Sequence, residues 1–148
     1  MDYKSDVMEH KTRVSIMMSK ISRDLVRRGN LHDNSKLKSP EMEIYEAHID
    51  ELSNAKFGTD EYTRAMDNIR PALNHHYENN DHHPEHFKDG IFDMNLIQII
   101  EALCDIKAVQ DKKGGNIIDT LPTWMEQKNI PENYYMVLKN TLEYMGEL

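Results

Sequence analysis

The chain has 148 residues, 39% apolar and 30% charged, with a net charge of −8 and one cysteine. That length supports one hydrophobic core. The acidic balance, with no basic face, argues against duplex nucleic acid, whose binding rests on neutralised phosphates.

Cys104 alone cannot form an intrachain disulfide, and no apolar run reaches membrane-spanning length. The opening Met1-Asp-Tyr-Lys-Ser-Asp lacks an apolar signal region. The expectation is a cytoplasmic protein without membrane contact.

From Ser5 to Arg28, Val7, Val14, Met17, Ile21 and Leu25 recur at the spacing of one helical face, with His10 in the same stripe. Gly29-Asn30 reads as the helix stop. Leu31-His32-Asp33-Asn34-Ser35-Lys36 starts a short second helix. Ser39 as cap, Pro40 in the first turn and Glu41 behind it open a third, running to Leu52. Thr59 caps a helix reaching about Leu73, with Pro71 near its end.

Asn74 to Gly90 fits either a short helix or a loop. Asp93 is read as the cap of a helix from Met94 to Asp111, with Ile97, Ile100, Cys104 and Ala108 on its apolar face and Lys112-Lys113-Gly114-Gly115 breaking it. A short helix covers Leu121–Gln127. Pro131 opens the last one, in which Tyr134 and Tyr135 are packing residues. No period-2 alternation is sustained. The expected fold is all-α, a single compact domain over residues 1–148 with six or seven helices.

Seven of the eight histidines fall in the order His10, His32-Asp33, His75-His76, His82-His83 and His86, with Asp105 downstream; His48 stands apart as a surface residue. Imidazole and carboxylate are the ligand set of a divalent metal, and no thiolate cluster competes. Taken singly, His10 reads as a core histidine, Lys36 as a surface lysine and the Met17-Met18 stripe as core filling.

His10-Lys-Thr-Arg13-Val14, followed by His32-Asp33-Asn-Ser-Lys36, resembles the opening of the HD-domain superfamily of metal-dependent phosphohydrolases. Glu101-Ala-Leu-Cys-Asp105 fits the closing aspartate of that pattern. The stretch from His75-His76 to His82-His83-Pro84-Glu85 is similar to the histidine region of HD proteins holding two or more metals. It also resembles a His-His-Pro-Glu signature in uncharacterised phage and bacterial relatives.

The resemblance implies metal held by His10, His32, Asp33 and Asp105, with His75, His76, His82 or His83 serving a second ion. Which of those four bind stays open, because two His pairs stand where the pattern has one. One or two ions are implied: Mn, Fe, Zn, Ni, Co or Mg. Adjacent His32 and Asp33 at a helix terminus can point into one cleft, and an aspartate can bridge two cations.

Asp33, Lys36 and Arg13 are the implied catalytic set. Asp33 sits at the metals, while Lys36 and Arg13 steady the phosphoryl group; Arg13 could equally pair with Asp33 or Glu41. Glu78 and Asp81 are weaker acid–base candidates. The implied reaction is hydrolysis of a small phosphate ester, a nucleotide above all, by metal-activated water. The rival readings are a diiron oxygenase-type HD enzyme and a non-catalytic metal- or nucleotide-binding module. A homodimer fits the many aromatic and Met side chains on the helices.

Overall fold

The computed structural model describes residues 2–55 and 59–148. Among them the fold is all-α, with seven α-helices joined by short 3₁₀ turns and loops. No helix among these residues is long and apolar enough to cross a membrane. The chain divides into two units, one ending at His32 and the other running from Asp33 to Leu148.

The first unit is one helix, α1 (Tyr3–Leu31), capped by Asp2, whose carboxylate accepts from the Ser5 amide at 2.9 Å. The helix runs through Gly29-Asn30 instead of stopping there. A helical glycine costs only about 1 kcal/mol relative to alanine, and the last turns carry an Arg27–Asp24 pair at 2.7 Å. The helix ends where His32 turns extended and Asp33 takes a left-handed conformation (φ 56°). The apolar stripe is present, but no residue of α1 is buried. Met17, Met18 and Ile21 are exposed rather than core filling.

In the second unit a 3₁₀ turn (Asn34–Leu37) leads into α2 (Glu41–Asn54), with Pro40 rather than Ser39 at the capping position. Thr59 caps the next helix as its sequence predicts, accepting from the Tyr62 amide at 3.2 Å. The predicted single helix is two, α3 (Asp60–Asn68) and α4 (Arg70–Asn79), broken at Ile69. Pro71 causes the break: it has no N–H to give and tolerates only a first turn. The new helix carries His75 and His76 to Asn79, which settles the uncertain stretch as helix followed by loop and 3₁₀ turns (Pro84–His86 and Gly90–Asp93).

Helix α5 (Leu96–Lys113) starts from Asn95, not Asp93. The Asn95 side chain accepts from the Ile97 and Gln98 amides, and the Gln98 side chain accepts from the Asn95 amide. Asp93 has Leu96 at the third position beyond it and cannot complete that reciprocal pair. The buried face of α5 is Gln98, Ile99, Ala102 and Leu103, so the expected face of Ile97, Ile100, Cys104 and Ala108 is displaced around the helix; Cys104 and Ala108 are exposed. Gly114 ends the helix where the sequence predicts a break, in a left-handed cap (φ 68°).

Helices α6 (Ile117–Gln127) and α7 (Tyr135–Met145) close the core with α5. Leu103, Leu121, Met125, Leu138 and Leu142 are buried together, with Tyr134 and Tyr135 packed against them. This core fixes α5, and α5 in turn fixes one wall of the site.

Candidate metal centre

The site is built from the start of α2, the C-terminal half of α4, the loop after it and the outer face of α5. Glu41, the first residue of α2, has no exposed surface. A carboxylate buried that deeply needs several hydrogen-bond donors. His75 Nδ1 lies 2.7 Å from its Oε1; His76 Nδ1, at 2.9 Å, and the Ser35 hydroxyl, at 3.1 Å, serve Oε2. Burial works against ionisation, but the bonds from His75, Ser35 and His76 outweigh it and hold the carboxyl below its ordinary range. Asn80 donates to Ser35 Oγ and to the His76 carbonyl, each at 2.8 Å, which fixes the second layer of contacts.

With its Nδ1 committed to Glu41, buried His76 presents Nε2 on the opposite edge of the ring. That atom lies 2.9 Å from His83 Nε2 and 3.3 Å from Asp33 Oδ1. Buried His82 repeats the device: Nδ1 is 3.2 Å from Glu101 Oε1, while Nε2 is 3.5 Å from Asp33 Oδ1 and 4.0 Å from Asp105 Oδ2. Pro84 holds His83 extended (φ −99°, ψ 130°).

Asp33 reaches in from a left-handed residue, a conformation aspartate tolerates better than most side chains. Its other oxygen accepts from Lys36 Nζ at 2.5 Å. Burial, followed by the neighbouring His82 and His76, pushes His83 down to about 3, so the ring is neutral near pH 7.

One ligand atom each from Asp33, His76, His82 and His83 lies within 4.8 Å of all the others. Carboxylate oxygens and unprotonated Nε2 atoms are all acceptors, and a single proton can bridge only one close pair among them. Atoms about 2.1 Å from a shared ion are about 3.0 Å apart at right angles and about 3.4 Å apart in a tetrahedron. The observed separations of 2.9, 3.3 and 3.5 Å match those edges. The donor set fits a divalent ion.

Within the second unit the predicted residues divide. Asp33, His76, His82 and His83 converge, with Asp105 at their edge. His75, expected as a ligand, lies outside the converging group and binds Glu41, because neighbours on a helix point about 100° apart. His10, Arg13 and His32 belong to the first unit. There His10 is exposed on α1, His32 forms the helix cap, and Arg13 pairs with Glu9.

Lys36, expected to steady a phosphoryl group, lies against Asp33. Asp81 accepts from Gln98 at 2.8 Å, Glu78 is exposed, and His86 turns to the Tyr77 carbonyl. His48 is only partly exposed and lies 3.4 Å from Glu51.

Glu41 and Glu101, the carboxylates that orient the two buried histidines, are absent from the predicted set. Glu41 reads in sequence as an ordinary first-turn acid. For Glu101 a signal existed: it precedes Asp105 by four residues, so both carboxylates share a face of α5.

No curated protein matches the chain, and no solved structure does. A family model matches residues 1–146, and the chain belongs to that family, the family of unknown function DUF5662.

Proposed function

We propose that Asp33, His76, His82 and His83 hold a divalent metal ion, with Asp105 in reserve at the edge, and that the protein is a metal-dependent phosphohydrolase acting on a small phosphate ester. The observation that carries this reading is the pair of buried histidines, each with Nδ1 against a carboxylate and Nε2 turned towards Asp33. Carboxylates behind metal-binding histidines set the tautomer and raise ligand basicity.

A bound divalent ion would supply Lewis acidity and lower the pKa of a coordinated water to about 7. The chain's own groups have distinct parts. Asp33 would hold the ion through Oδ1, and Lys36, paired with its Oδ2, would offer a positive charge to an anionic group. Neutral His83 brings a lone pair without the cost of losing a proton first. The choice of reaction draws support from the resemblance of His32-Asp33…Asp105 to HD-domain phosphohydrolases, which favours nucleotides as substrates.

The test is a hydrolysis screen of nucleoside mono- and triphosphates, cyclic nucleotides and p-nitrophenyl phosphate with Mn²⁺, Fe²⁺, Zn²⁺ or Mg²⁺. The expected outcome is turnover that a chelator abolishes and that Asp33→Asn and His82→Ala lose. Turnover surviving both the chelator and Asp33→Asn would refute the assignment, as would a fully metal-loaded protein that cleaves no phosphoester.

A further inference from the structure

We infer that the small cavity beside His82 and His83 is a phosphoryl-binding pocket, and that Lys128, at the end of α6, is the cation that receives the anionic group. The inference rests on reading the adjoining cluster as a phosphoester-processing centre. His82, His83, Asp105, Trp124 and Lys128 all line the cavity.

Its volume is about 170 Å³. Water takes about 30 Å³ per molecule, so the space suits a phosphoryl group and a few attached atoms. Sites for drug-sized ligands start at about 300 Å³. A nucleoside would therefore stay outside, with only its phosphate end inserted.

Lys128 is placed for this task. Its side chain is 17% exposed, and Nζ donates to Glu85 and lies 3.5 Å from the Tyr77 hydroxyl, over the Tyr77 ring at 5.2 Å. These contacts fix the ammonium of a residue that itself lines the cavity. Three donors are available on an ammonium, so one remains for a ligand oxygen. Burial opposes its charge, but Glu85 more than compensates and keeps the group cationic at neutral pH. Among the described residues lining the cavity, Lys128 is the one cation of lysine or arginine type. A compact ammonium beside an apolar indole binds phosphate as a point charge in partly dry surroundings.

The experiment is calorimetric titration of inorganic phosphate into wild type, Lys128→Met and Glu85→Gln, with bound metal measured in each by elemental analysis. The two variants break the same ion pair, so a purely structural role for Lys128 would weaken phosphate binding alike in both. The inference predicts opposite shifts. Lys128→Met should lose about tenfold or more in affinity, the scale of one charge-assisted hydrogen bond. Glu85→Gln, which leaves the ammonium uncompensated, should bind more tightly.

Equal affinity in Lys128→Met, or no phosphate binding by folded wild type, would overturn the inference. If Lys128→Met does not fold, Glu85→Gln decides alone: tighter binding supports the pocket, and unchanged or weaker binding removes it. Opposite shifts in a metal-free protein would keep the pocket and discard the metal centre. A loaded metal with no shifts would do the reverse.

Discussion

Replacing Glu41 tests how far the buried carboxylate governs the cluster. Oε2 serves both Ser35 and His76, while Oε1 serves His75, whose side chain is 35% exposed. Glutamine can put its carbonyl in the Oε2 position and its NH₂ towards His75, which is exposed enough to switch tautomer. His76 then keeps an acceptor but loses the charge on it. The difference between a charge-assisted and a neutral hydrogen bond is about 1 kcal/mol, so Glu41→Gln should weaken metal binding about five- to tenfold.

Glu41→Leu removes the charged acceptor and leaves the buried His76 Nδ1 only the Ser35 hydroxyl, 3.3 Å away, as acceptor. Its loss should approach the roughly 100-fold upper end for groups that orient metal ligands. His75→Ala touches only the outer side of Glu41 and should change metal affinity by less than about threefold on the same scale. The assay is competition for Zn²⁺ or Co²⁺ with a chromophoric chelator, with circular dichroism confirming that each variant is folded. Unchanged affinity in Glu41→Leu would refute the reasoning. A loss in His75→Ala equal to that in His76→Ala would refute it as well.

Two further predictions concern the fold. Leu121 is fully buried between α5 and α7, so Leu121→Ala should cost about 2–5 kcal/mol in denaturant unfolding, and a loss under about 1 kcal/mol would contradict the described core. Burial, with Glu41, Tyr77 and Asp33 nearby, pushes the Tyr45 hydroxyl up to about 12. The folded state then holds a proton that the unfolded state releases from about pH 10, so stability should fall between pH 10 and 12, and Tyr45→Phe should flatten that decline.

The sequence reveals the helical architecture wherever local chemistry decides it. Thr59 and Gly114 act where the rules place them, because a side-chain oxygen on an amide and a left-handed turn are local events. Gly29-Asn30 misleads because a helical glycine carries only a modest penalty, and the helix runs on to Leu31 before His32 turns extended. The face of α5 is displaced because its neighbours, α6 and α7, determine which side is covered.

The same division runs through the site. The histidine run and His32-Asp33 are legible as a candidate ligand set, and four of the expected residues, Asp33, His76, His82 and His83, do converge. Choosing His76 over His75 depends on where Glu41 arrives from another helix, and no spacing along α4 contains that information. Glu41 itself is indistinguishable in sequence from a carboxylate favouring a helix dipole.

Elemental analysis of purified wild type, Asp33→Asn, His82→Ala and His75→Ala tests the central claim most directly. The expected result is about one equivalent of a divalent metal per chain in wild type and in His75→Ala, and little or none in Asp33→Asn and His82→Ala. A wild type that takes up no Mn²⁺, Fe²⁺ or Zn²⁺ would contradict the account, as would metal content that ignores the loss of Asp33.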